Sequence, residues 1–122
     1  MQTVAVLGAS ENPDRYSNLA CKLLGQYGHR VYAVSLHGRS IHGAMGRSSV
    51  AEISEPIDTV TMYISAERQA DVIDAVIATR PRRVIFNPGA ECEESEGRLR
   101  EVGIETLRAC TLVLLKTGQF GK

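Results

Sequence analysis

A chain of 122 residues is the length of one domain and can bury a single apolar core without disulfide or metal staples. With 43% hydrophobic and 23% charged residues it falls among ordinary globular sequences, away from disordered or fibrous ones. Its 14 basic and 14 acidic residues cancel, whereas a groove for a polyanion needs clustered excess Lys and Arg, which excludes nucleic acid as a general partner.

The first apolar run, residues 4–7, has no basic segment before it and is broken at Gly8. It is too short for a signal-peptide core or a spanning helix, so a soluble, unexported protein with no membrane partner is expected. Leu19, Ala20, Leu23, Leu24 and Tyr27 then recur at helical period, and Gly28 is suited to end that helix. Residues 30–34 form a second short apolar run of strand length. Ser49 with Glu52 three positions on has capping-box spacing and marks a short helix. Residues 59–64 read as a strand. Residues 67–80 read as a helix with Ala70, Ile73, Val76 and Ile77 on one side, stopped by Pro81. A strand at 83–86 leads to a helix from about Glu93 to Val102, with Glu93, Glu94 and Glu96 at its positive end and Gly103 at its stop. Residues 104–107 read as the fifth strand. The apolar stretch 112–115 fits strand or buried helix equally, and it offers cover for a sheet edge or a contact for a homodimer.

Strands alternating with helices imply right-handed crossovers and a parallel sheet covered on both faces. The fold expected over residues 1–122 is a single α/β domain, a Rossmann-like three-layer sandwich with a five-stranded, mostly parallel sheet. Cys21, Cys92 and Cys110 are odd in number and unevenly spaced, so reduced thiols in the cytoplasm are expected rather than a disulfide framework or zinc site.

In such a sheet ligands bind outside the carboxyl ends of the strands. The first loop there runs Gly8, Ala9, Ser10, Glu11, Asn12, Pro13, Asp14, Arg15, Tyr16 and enters a helix near Ser17 and Asn18. A glycine directly after the strand admits a ligand to the backbone, and free N–H groups opening the helix favour a phosphate. The same residues also suit a plain turn and cap. Three glycines would mark a dinucleotide site, and only Gly8 is present, which weighs against NAD. The second segment, 35–51, holds His37, Arg39, His42 and Arg47 and no acidic residue at all, and Ser35, Leu36 and His37 stand at its start where an NAD site places Asp or Glu for the ribose. Arg39 is a planar fork suited to a phosphorylated ribose; a solvated basic loop is the bland alternative. Ser65 follows the third strand, and Asn87, Pro88 and Gly89 make a turn after the fourth, whose backbone can line a cleft.

Taken together, Val4-Ala5-Val6-Leu7-Gly8-Ala9-Ser10 with Pro13, Arg15, Tyr16 and Ser17, then Gly28-His29-Arg30-Val31-Tyr32-Ala33-Val34, and Phe86-Asn87-Pro88-Gly89-Ala90-Glu91 resemble the small stand-alone CoA-binding proteins. These in turn look like the CoA-binding domain of the succinyl-CoA synthetase alpha subunit. The resemblance spans roughly residues 4–120. It implies coenzyme A or an acyl-CoA as the small-molecule nucleotide ligand, with pyrophosphate at Gly8, Ser10, Pro13 and Arg15. It places the 3′-phosphorylated adenosine beyond the second strand, near His37 and Arg39, and sets Ile64, Ser65, Pro88 and Gly89 beside adenine or the pantetheine arm. Family members often read Val-Asn-Pro and a basic residue after the second strand, where this chain has Val34, Ser35, Leu36 and His37. Catalysis is not expected, because the ligase sharing this domain needs a phosphorylatable histidine on a second domain, and the sequence stops at Lys122. The competing readings are an NAD(P)-binding regulator or enzyme, and a redox protein in which Cys92 forms a mixed disulfide with the CoA thiol.

Overall fold

A computed structural model describes residues 1–121. Its centre is a sheet of six strands, all parallel: β1 (Thr3–Leu7), β2 (Arg30–Val34), β3 (Met45–Arg47), β4 (Thr59–Met62), β5 (Arg83–Phe86) and β6 (Glu105–Arg108). Their order across the sheet is β3-β2-β1-β4-β5-β6, so the order in which successive strands are added reverses between β1 and β4. The expected five strands become six. Residues 45–47 carry a glycine and no Val or Ile, so apolar content gave no hint of β3, which is held as an edge strand by pairing Tyr32 with Met45 and Val34 with Arg47.

Among the described residues four α-helices cover the sheet: α1 (Tyr16–Gln26), α2 (Ile73–Thr79), α3 (Glu93–Glu101) and α4 (Thr111–Lys116). Because side chains alternate along a strand, Val4 and Val6 face one layer, with Ala20, Cys21 and Leu24 of α1 and Leu112 and Leu115 of α4. Ala5 and Leu7 face the other, with Ile73 and Val76 of α2 and Leu99 of α3. Both faces being covered, the central strands β1 and β4 are buried along their whole length, as in a parallel sheet packed on both sides, while the edge strands β3 and β6 keep polar and at least partly exposed residues. The ambiguous stretch 112–115 is therefore helical. The continuous helix expected over 67–80 is instead a 3₁₀ segment, Ala66–Asp71, followed by α2, with Val72 between them at φ −122° and ψ −18°. Gln69 explains the break: it is fully buried and turned inward, its Nε2 donating to the carbonyls of Ile64 at 2.8 Å and Ala90 at 2.6 Å. The short helix signalled by Ser49 is a 3₁₀ turn, Val50–Glu52, whose Ser49 Oγ accepts from Ala51 N–H.

The amino ends of the strands are knitted shut. Thr3 N–H donates to Asp58 Oδ2 at 2.8 Å and Asp58 N–H to the Thr3 carbonyl at 2.9 Å. His29 Nδ1 accepts from Gln2 N–H at 3.0 Å, its ring lies 5.0 Å from that of Phe120, and burial lowers its pKa, so it packs at a turn as a neutral ring. The opposite edge, where the strands end, carries the loops that remain open.

Candidate functional site

At that open edge the first loop rises between β2 and β4. Gly8 sits at φ +86°, and a Cβ there would lie 3.0 Å from Ile64 Cγ1 and 3.2 Å from the Tyr63 carbonyl carbon. Only glycine fits this approach, and it brings the first loop against Ile64. The N–H groups of Gly8 and Ala9 both donate to the Val34 carbonyl, at 3.0 and 3.1 Å, so they anchor the loop and are not offered to a ligand. Further on, Asn12 N–H donates to Ser10 Oγ and Asp14 N–H to Asn12 Oδ1, a pair of local turns that shape residues 10–14.

Helix α1 begins one residue earlier than Ser17 suggests. Its cap position is Arg15, which has no acceptor to offer, and its first turn carries neither a side-chain cap nor an acidic residue. The N–H groups of Tyr16 and Ser17 have no acceptor among the described residues. The contrast with α3 is instructive, since Glu93, Glu94 and Glu96 fill its first turn and Glu96 Oε2 accepts from Cys92 N–H at 3.1 Å. Of these two helix starts, the one at the first loop has its positive end unanswered. Ser17 is buried, while Pro13, Arg15 and Tyr16 are exposed on the rim.

The segment after β2 leans toward this loop. Arg39 Nη1 lies 3.1 Å from Glu11 Oε1, an exposed ion pair joining the two segments across the edge. The acid missing from residues 35–51 in sequence near Arg39 is thus supplied by the first loop. His42 lies 2.7 Å from Asn18 Oδ1, and His37 stands exposed. Arg47 turns back, its guanidinium 5.1 Å from the centre of the Tyr32 ring, and belongs to the sheet.

Beyond β4 and β5 the roles divide. Ile64 and Ser65 are half-buried, and Pro88 and Gly89 form an exposed turn. Asn87 is 1% exposed and its amide is spent on the fold: Nδ2 donates to Thr61 Oγ1 and the Met62 carbonyl, and Oδ1 accepts from Thr111 N–H. It sets the turn from beneath. Gln69, by holding Ile64 and Ala90 together, couples the loops after β4 and β5.

A cavity of about 210 Å³ lies between the two leaning segments, lined by Glu11, Asn18, Ser40, Ile41 and His42. It is smaller than sites that engulf a ligand, so a nucleotide here would lie along an open edge. A larger hollow of about 550 Å³ flanks α1 and β2, bordered by Lys22, Gln26, Arg30, His42 and Met45, and contains none of the loop residues 8–17. Among the thiols, burial pushes Cys21 up to about 12, leaving it inert, while Cys92 is half-buried at the start of α3. No group of three or more potential metal ligands occurs among the described residues, and no helix there is long and apolar enough to cross a membrane.

Comparison with known proteins decides the family. Residues 2–116 match the sequence pattern described as CoA binding domain. The chain belongs to the CoA-binding domain family. Within reach of this family lies the uncharacterized protein YneT of Bacillus subtilis (strain 168), 29% identical over 100 residues, covering 82% of this chain and 74% of that protein. A crystal structure of an uncharacterized protein superposes with a TM-score of 0.92 at 38% identity, covering 98% of both chains. A Thermus thermophilus protein does so at 0.88 and 29% identity, covering 98% of this chain and 90% of its own. The dinucleotide forming acetyl-coenzyme A synthetase 1 of Ca. Korarchaeum cryptofilum shares the fold at a TM-score of 0.74 and 20% identity; the match covers 88% of this chain and 25% of that enzyme.

Asn18 and Gln69 tie together the loops at this edge and were not among the residues that sequence reasoning singled out for the site. Asn18 falls on the buried stripe with Cys21, and Gln69 on the stripe with Ile73 and Val76. A polar residue at a position the helical period assigns to the core must bond something, and that was the available signal.

Proposed function

We propose that this domain binds coenzyme A or an acyl-CoA without transforming it, at the carboxyl edge of the sheet. The pyrophosphate meets the start of α1, and the 3′-phosphorylated ribose lies toward Arg39 and His37. Ile64, Ser65, Pro88 and Gly89 border the adenine or the pantetheine arm. The observation that carries the reading is the start of α1, which has an arginine at its cap, no acid in its first turn and a second arginine across the edge. Such a start attracts an anion with both backbone donors and dipole. The Arg39–Glu11 pair is no obstacle, because an exposed ion pair contributes only about 0.2–1 kcal/mol and a phosphate offers Arg39 a two-pronged replacement.

Thermal shift tests this. A ligand at about 100 times its dissociation constant stabilises the native state by roughly 2.7 kcal/mol, a rise of several degrees for a domain of this size. The expected order is a clear rise with CoA, a smaller one with dephospho-CoA and little with NAD, and Arg39→Gln should bring the CoA response down to that of dephospho-CoA. Equal responses of the unmodified protein to CoA and dephospho-CoA would remove the role given to Arg39.

A further inference from the structure

His42 and Arg80 are the residues other than glycine that hold a positive φ among those described, His42 at 49°. His42 occupies the tight turn 41–44, where Ala44 N–H donates to the Ile41 carbonyl at 2.8 Å and Gly43 follows at φ 80°. Two successive positive φ values suit glycine best, and outside glycine they are uncommon, Asn, Asp and His being the residues that adopt them most readily. Nothing within the turn calls for an imidazole.

The reason lies across the edge. His42 Nε2 is 2.7 Å from Oδ1 of Asn18, in the first turn of α1. Asn18 is 6% exposed, and its Nδ2 donates to the Ser10 carbonyl at 2.9 Å. With the amide nitrogen committed to that carbonyl, Oδ1 is the acceptor and His42 supplies Nε2–H. A relay therefore runs from His42 through Asn18 to Ser10 and fixes the peptide joining Ser10 to Glu11. In a planar trans peptide the carbonyl and the following N–H point in opposite directions, so Glu11 N–H is turned away from Asn18. It has no acceptor among the described residues.

We propose that His42 is the positioning residue of the anion loop: by holding Asn18 it holds the Ser10–Glu11 peptide with its N–H presented to the ligand's pyrophosphate. This rests on the reading of the edge as a coenzyme A site and names a residue that acts on that site from the far side of the cleft. It also explains why a histidine rather than a glycine holds this positive φ at the wall shared by the two cavities, both of which His42 lines.

Calorimetric titration with CoA and dephospho-CoA, together with melting temperatures, separates the possibilities. Glycine relaxes the backbone at this φ, so His42→Gly should melt at or above the unmodified protein while binding CoA about tenfold more weakly, the scale of one lost hydrogen bond. The same factor is expected with dephospho-CoA, because both ligands carry the pyrophosphate. His42→Asn, at ease at the same φ but too short to span to Asn18, should repeat the loss. Asn18→Leu should weaken binding similarly, and the double variant His42→Gly, Asn18→Leu no further than the weaker single. Unchanged affinity in His42→Gly, or losses that multiply in the double variant, would overturn the relay while leaving the site reading intact. Should Asn18→Leu fail to fold, the two His42 variants decide the matter. An unmodified protein that takes up no CoA overturns the site reading itself.

Discussion

Replacing Gly46 with alanine is expected to cost more than any other single methyl added to this chain, and to weaken coenzyme A binding although Gly46 touches no ligand. Gly46 is the middle residue of β3, and the segment after β2 crosses directly over it. A Cβ at Gly46 would overlap the Gly38 carbonyl oxygen and lie 2.5 Å from the Arg39 carbonyl carbon and 2.7 Å from Ser40 N. All three are backbone atoms, so no rotamer change relieves the overlap. Either residues 38–40 lift away, taking Arg39 from its position opposite Glu11, or β3 loosens from β2. Overpacking of this kind destabilises by about 1–3 kcal/mol, here with the upper end expected because both partners are main chain. Gly97→Ala is the control. Its Cβ would meet nothing within 4 Å, it lies inside α3, and alanine there should stabilise by about 0.5–1 kcal/mol. Urea denaturation and CoA titration of the pair check the contrast. Gly46→Ala with the stability and affinity of the unmodified protein would mean that residues 38–40 are not pinned as described.

The second large effect is expected from Asn87→Leu, a change of similar size that keeps the position apolar-compatible and removes every side-chain hydrogen bond. Asn87 joins three elements: β4 through Thr61 and Met62, β5 through its own backbone, and α4 through Thr111 N–H at 2.8 Å. Thr61 and Thr111 also bond each other through their hydroxyls at 2.7 Å, completing a buried polar knot. Leucine leaves Thr111 N–H without an acceptor in a site closed to water, and it frees the Pro88–Gly89 turn from its footing. A buried unsatisfied group costs about 1–3 kcal/mol, and with the lost bonds to β4 the total should reach about 2–4 kcal/mol, a fall in melting temperature on the order of 10 °C. A loss below about 0.5 kcal/mol would show that the knot contributes little.

These two positions also show what was legible beforehand. Parallel architecture and helix α1 followed from apolar runs separated by helical periods, because burial on both faces writes itself plainly into composition. Strand β3 did not, since three edge residues with a central glycine bury too little to leave a pattern; its glycine answers to a backbone packed over it, which only coordinates reveal. The break before α2 was hidden for a similar reason, Gln69 reading as one more polar residue in a helix although it is buried and bonded to two loops. At the candidate site, residue type pointed to an open start of α1 and to Arg39 as the basic group after β2. What escaped notice was mutual engagement: Glu11 answering Arg39, and Asn18 answering His42, are pairings across 28 and 24 positions of chain. Asn87, read as a residue for turn or ligand, proves to be wholly engaged by its own fold.

The most direct test is a residue-by-residue one. In a two-dimensional amide spectrum of the labelled protein titrated with coenzyme A, the largest shifts should fall on Ser10, Glu11, Tyr16 and Ser17, on His37, Arg39 and His42, and on Ile64, Ser65 and Gly89. Lys22, Gly25 and Gln26, beside the larger hollow, should stay in place. Shifts concentrated on that hollow, or an unchanged spectrum at saturating coenzyme A, would contradict a ligand held at the carboxyl ends of the strands.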